Sequence, residues 1–85
     1  MVQRDIELNL SSWLKAQSAA EFIQKASDFK ASIWVEKDNR KANAKSLLGL
    51  LALGITPGCS VRIIAQGEDE ETAVAALGEF MMRNV

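Results

Sequence analysis

Ala31-Ser-Ile-Trp-Val-Glu-Lys-Asp-Asn-Arg-Lys-Ala-Asn-Ala-Lys-Ser-Leu-Leu-Gly-Leu-Leu-Ala-Leu-Gly54 is the stretch whose reading decides the fold. Ala31 to Lys37 is rich in β-branched and aromatic residues and predicts a strand. Asp38-Asn39 predicts a two-residue turn, because Asn39 tolerates the left-handed conformation. Arg40 to Ala44 then returns as a third strand of the chain, antiparallel to the second. A short helix follows from Leu47 to about Leu53 and stops at Gly54. Gly49 lowers its propensity by about 1 kcal/mol relative to alanine, so this helix must lean on tertiary contacts or a partner.

On the N-terminal side, Val2, Ile6, Leu8 and Leu10 alternate with Gln3, Asp5, Glu7 and Asn9. That is a strand with one buried face, with Arg4 as its polar break. Ser11-Ser12-Trp13 reads as a loop. Residues 16–27 read as a helix with Ala19, Ile23 and Ala26 on one stripe and Phe22 beside it. On the C-terminal side, Thr56-Pro57-Gly58 is a turn. Ser60 to Gln66 is a strand, with Val61, Ile63 and Ala65 alternating against Arg62, Ile64 and Gln66. Gly67 breaks it. Glu68, Asp69, Glu70 and Glu71 open a last helix, where acidic residues suit the dipole. Ala73, Leu77 and Phe80 form its buried stripe, with Val74 and Met81 nearby. The predicted order is β-α-β-β-α-β-α. It implies an α+β open-faced sandwich, a four-stranded antiparallel sheet covered on one side by three helices.

The composition narrows the function classes. A length of 85 residues predicts one domain spanning 1–85. A chain of this size buries about 60% of its unfolded surface, so its stability should be modest. The net charge of −1 argues against direct nucleic-acid binding, which uses a basic face. The start Met1-Val-Gln-Arg-Asp5 lacks the plan of a signal peptide, and no apolar run approaches the ~20 residues of a membrane span. A cytoplasmic protein with no membrane association is expected. The single Cys59 excludes an intramolecular disulfide and a cysteine-cluster metal site. It reads as a packed free thiol. The sequence contains no histidine, which removes the commonest general base near neutral pH. No carboxylate pair has an evident catalytic spacing, and neither a cofactor nor a metal is expected.

Ser46 directly precedes an apolar helical run and is a good N-cap. A phosphate placed there would meet free backbone N–H groups and the positive end of the helix dipole. Sequence physics alone leaves both readings open, a plain cap and a modified cap. Leu47, Leu48 and Leu51 either belong to the core or form an exposed apolar group of the kind that marks an interface.

Three stretches carry a resemblance to a known family. They are Ala19-Ala20-Glu21-Phe22-Ile23, Ala42-Asn43-Ala44-Lys45-Ser46-Leu47-Leu48-Gly49-Leu50 and Ala65-Gln66-Gly67-Glu68-Asp69-Glu70. With the element order, they make the chain resemble HPr, the histidine-containing phosphocarrier of the bacterial sugar phosphotransferase system, over essentially its whole length. The family's active loop reads Gly-Leu-His-x-Arg-Pro-Ala-Ala. The same register here reads Trp13-Leu14-Lys15-Ala16-Gln17-Ser18-Ala19-Ala20. Lysine replaces the phosphorylated histidine, glutamine the arginine and serine the proline. Lys15 is an ammonium near neutral pH with no free lone pair, and Gln17 lacks the charge that would stabilise phosphate. The carrier reaction should therefore be dead, and the chain should not be an enzyme.

Met1-Val2-Gln3, Glu36-Lys37-Asp38 and Ala65-Gln66-Gly67-Glu68-Asp69-Glu70 are similar to a catabolite-repression branch of the family in bacilli that also lacks the histidine and keeps the regulatory serine. That branch carries glutamine at the lost histidine and keeps the following Arg-Pro, from which Lys15, Gln17 and Ser18 depart. The resemblance implies phosphorylation of Ser46 by HPr kinase/phosphorylase. The phosphoprotein would then act as corepressor of a LacI-type catabolite control protein. It implies a partner surface of Lys15, Gln17, Ala20, Gln24, Leu47, Leu48 and Leu51, with Leu50 and Leu53 turned inward. Alternatives are a phosphorylation-controlled allosteric partner of a metabolic enzyme and a residual phosphotransferase-system component. A homodimer made by swapping the first strand is a further possibility, because that strand lies at the chain end beyond a Ser11-Ser12 loop.

Overall fold

The computed structural model describes residues 1–7, 16–54 and 60–83, and for 16–18 and 83 the backbone alone. Leu8, Leu10, the Ser11-Ser12-Trp13 loop, Lys15, the Thr56-Pro57-Gly58 turn and Cys59 lie outside the described residues. The elements follow the predicted order: β1 (Val2–Glu7), α1 (Ala16–Ser27), β2 (Ser32–Lys37), β3 (Arg40–Asn43), α2 (Leu47–Ala52), β4 (Ser60–Gln66) and α3 (Glu70–Arg83). The four strands make one antiparallel sheet in the order β1-β4-β2-β3. β4 is thus flanked on both sides, which suits its near-continuous apolar run.

One face of the sheet carries Ile6, Ile33, Val35, Ala42, Val61, Ile63 and Ala65, all buried. The helices lie on this face. α3 packs on β1 and β4, α1 packs on α3 and α2, and α2 packs on β3. Phe22, Ala26, Ala73, Leu77 and Met81 fill the space beneath them without exposure. None of the described helices is long and apolar enough to cross a membrane.

The structure departs from the sequence reading at four points. In α1, Phe22 is central and Ile23 is half-buried at the rim, the reverse of the expected stripe. Phe80 is also only partly buried. It stands 6.1 Å from the Phe22 ring at 48°, with the Lys25 ammonium 5.7 Å from its centroid. Ile64, expected among the polar partners of its strand, is 5% exposed on the open face of the sheet. Trp34 of β2 lies directly opposite it in the register. The last helix begins at Glu70, with the Asp69 carbonyl accepting from the Ala73 N–H at 2.9 Å and the Asp69 side chain turned to another segment.

Two turns rest on unusual backbone. Asp38 and Asn39 both have positive φ, 53° and 66°, which is the twist a two-residue hairpin requires. Gly67 has a φ of 153°, and a Cβ there would lie 2.7 Å from the Cα of Ala31. Gly54 has a φ of 65° but open space around it. Gly67→Ala therefore meets both strain and a backbone clash and should cost about 2 kcal/mol or more, a fall in Tm of roughly 10 °C for a domain this small. Gly54→Ala meets strain alone and should cost about 1 kcal/mol. Thermal unfolding of the two variants side by side checks the difference.

Candidate functional site around Ser46

β3 delivers the chain to Ser46 through a locally fixed turn. The Asn43 side-chain oxygen accepts from the Lys45 N–H at 2.8 Å, and the Asn43 carbonyl accepts from the Ser46 N–H at 3.0 Å. Ser46 is extended, with φ −116° and ψ 115°, the conformation of an N-cap. Its carbonyl accepts from the Leu50 N–H at 3.0 Å, and its Oγ accepts from the Gly49 N–H at 3.2 Å. Gly49, which weakens the helix intrinsically, has a packing role. A Cβ there would lie 3.3 Å from both the Ala42 Cβ and the Ser46 Oγ. The missing side chain lets the first turn of α2 sit close to β3.

The far end of α2 is held by the hairpin. The Lys37 ammonium donates to the Gly54 carbonyl at 3.0 Å and reaches the Leu53 carbonyl at 3.5 Å, and the Arg40 guanidinium donates to Leu53 at 3.2 Å. These cations satisfy terminal carbonyls and suit the negative end of the helix. The helix has no basic residue in its own last turn.

Lys45 connects Ser46 to a second junction. Its ammonium donates to the carbonyls of Phe29 at 3.0 Å and Ala31 at 3.2 Å. The Asp69 carboxylate accepts from the N–H groups of Lys30 and Ala31, each at 2.9 Å, on the same short turn. These bonds, the Lys30 N–H first, hold the Asp69 carboxyl below its ordinary value. Glu70 is lowered likewise, first by the Gly67 N–H and then by the Met1 ammonium 3.0 Å away. Within the acidic run, Asp69 and Glu70 thus serve local hydrogen bonding. Among the described residues, no group of three or more His, Cys, Asp or Glu side chains could hold a metal ion.

Around this frame the expected partner residues sort as follows. Leu48 is 82% exposed, Leu51 42% and Leu47 40%, whereas Leu50 and Leu53 are buried. Ala20 and Gln24 are exposed one turn apart on α1, which packs beside α2. Gln17 belongs to α1, where its backbone alone is described. The cations that close α2 were missed in the sequence. Their signal was Lys37 and Arg40 flanking a two-residue turn.

The comparisons agree with this architecture. The model of the family described as "PTS HPr component phosphorylation site" matches residues 2–83. The chain is 42% identical to the HPr-like protein Crh of Bacillus subtilis over 85 residues, covering all of both. The crystal structure of that Crh superposes with a TM-score of 0.80 at 42% identity over 100% of this chain and 98% of that one. It is described as a dimer with a swapped domain. The phosphocarrier protein HPr of Bacillus anthracis superposes with a TM-score of 0.88 at 39% identity, covering 93% and 94%. The chain therefore belongs to the HPr family. It does so without a single histidine.

Two substitutions test the frame. Ser46→Ala removes the cap acceptor and should cost about 1 kcal/mol in unfolding experiments, while Ser46→Asp should retain most of it. Asp69→Ala should lower Tm at neutral pH. Because the folded carboxyl is depressed, its contribution is present above the ordinary value of 3.8 and is lost as pH falls through the folded value. The gap between wild type and Asp69→Ala should close in acid, as followed by thermal melts from pH 7 to pH 2.

Proposed function

We propose that this chain is a regulatory member of the HPr family that acts in carbon catabolite repression through phosphorylation of Ser46. The observation that carries the reading is Ser46 as the N-cap of a helix with three exposed leucines, in a chain 42% identical to Crh end to end. HPr kinase/phosphorylase is the proposed modifying enzyme, and a LacI-type catabolite control protein is the proposed target of the phosphoprotein.

The physical mechanism is local. A phosphoryl group adds about −1.5 to −2 charges and three acceptor oxygens. Placed at the start of α2, it sets that charge beside Leu47, Leu48 and Leu51. An arginine or lysine on the regulator pairs with the phosphate while an apolar pocket takes the leucines. Ala20 and Gln24 on the neighbouring helix, with Lys15 and Gln17 before them, extend the surface. The regulator is shifted toward its DNA-competent state by the difference in affinity between its two states. This domain touches protein and not DNA. It works as one cytoplasmic domain over 1–85, needs no cofactor and catalyses no reaction.

Phosphate transfer from phosphoenolpyruvate is not the proposed activity, since no residue offers the required ring nitrogen. A second reading uses the same surface with opposite sign, the unmodified protein binding a metabolic enzyme and leaving it on phosphorylation. The swapped dimer described for Crh supports a homodimer here made by exchange of β1, an edge strand of the sheet.

Incubation with HPr kinase/phosphorylase and ATP should add the mass of one phosphate to the wild type and none to Ser46→Ala. The phosphorylated wild type alone should then bind the regulator, with Leu48→Ala weakening that binding at least about tenfold. No mass gain on the wild type overturns the proposal. Capture of an enzyme by the unmodified protein alone favours the second reading.

A further inference from the structure

Among the described residues no helix lies on the open face of the sheet, and the residues of that face form ordered rows. One row runs across all four strands in register: Asp5 on β1, Arg62 on β4, Glu36 on β2 and Lys41 on β3. The signs alternate from edge to edge, negative, positive, negative, positive. Arg62 sits within the row, 2.8 Å from the Asp5 carboxylate and 3.7 Å from Glu36. Asp5 and Lys41 stand on opposite edge strands, three strands apart. The next row reads Gln3, Ile64, Trp34 and Asn43, with the two apolar residues on the two central strands.

This arrangement is self-complementary. A two-fold axis that runs parallel to the strands, midway between β4 and β2, reverses the strand order and keeps each row at its own height. A second copy so placed puts Lys41 opposite Asp5, Glu36 opposite Arg62 and Trp34 opposite Ile64, each pair occurring twice. The two sheets then stack aligned, about 10 Å apart, as in a β-sandwich. An isologous contact needs a patch that complements itself under rotation, and an alternating row of even length meets that need. A uniformly charged row, or one reading negative, positive, positive, negative, would place like charges opposite each other.

From this geometry we propose that the open sheet face is an interface with a second copy of this chain, independent of any phosphate on Ser46 and distinct from exchange of β1. The charges set register and specificity, and the apolar burial comes from the half-buried Trp34, since Ile64 is already 5% exposed within one chain. Four strands about 4.8 Å apart and about 20 Å long make a face far smaller than a standard interface of about 800 Å² per partner. The pair is accordingly transient and salt-sensitive.

Sedimentation across roughly 0.02 to 2 mM protein tests it, with circular dichroism to verify folding of each variant. The wild type should show a reversible dimer that weakens as salt rises. Asp5→Lys and Lys41→Asp should each weaken it about tenfold or more. The double variant turns the row into positive, positive, negative, negative, which is again complementary to its own reverse, and should recover most of the lost affinity. Within one chain these two residues do not meet, so rescue has no intramolecular source. As a second readout, backbone amide shifts of the wild type on dilution should concentrate on Gln3, Trp34, Glu36, Lys41, Arg62 and Ile64. A monomer at every concentration overturns the proposal. So does a dimer indifferent to both reversals, which is the signature of strand exchange, and so does a double variant no better than the singles.

Discussion

Ala31 is the residue on which three segments of this fold converge. Its N–H donates to Asp69 from the start of α3, and its carbonyl accepts from Lys45 beside Ser46. Gly67, at the end of β4, lies so close that a Cβ there would meet its backbone. One short turn between α1 and β2 is thus gripped from above and below by groups distant in sequence. Buried backbone polar groups need partners, and here the partners come from a carboxylate and an ammonium rather than from a sheet ladder. The side chain that holds this turn, Lys45, immediately precedes Ser46. The regulatory candidate therefore inherits its position from the same junction that joins the helices to the sheet.

α2 shows how a weak element is made to persist. Six residues with an internal glycine make no stable helix by themselves. Ser46 satisfies its first turn, Lys37 and Arg40 satisfy its last carbonyls, and Leu50 and Leu53 anchor it in the core. That leaves Leu47, Leu48 and Leu51 on the outside. Leu48, at 82% exposure, adds little to the stability of the monomer, and the three leucines together leave an apolar group on the surface of one short helix.

The two faces of the sheet divide the work. The inner face builds the core through alternating small and branched residues, and the outer face carries an ordered charge row beside Trp34 and Ile64. The outer pattern is invisible along any single strand. Asp5, Glu36, Lys41 and Arg62 become neighbours only through the register of three strand pairs.

The sequence by itself determined the element order, the hairpin at Asp38-Asn39, the cap at Ser46 and the stop at Gly54, because each depends on local periodicity or on one residue's backbone preference. It also determined the absence of histidine chemistry. Tertiary structure decided which of Phe22 and Ile23 takes the centre of the core, since both positions fit an amphipathic stripe and the packing of α1 on its neighbours buries Phe22 fully and Ile23 in part. It decided where the Asp69 side chain goes, because the N–H groups that it accepts from lie 38 and 39 residues away, while the Asp69 carbonyl still opens α3. It decided that Ile64 is only 5% exposed on the open face, at a position that the register pairs with Trp34 of another strand. Local rules act through the nearest few residues, whereas these outcomes depend on which distant backbone atoms are brought within hydrogen-bond or van der Waals reach.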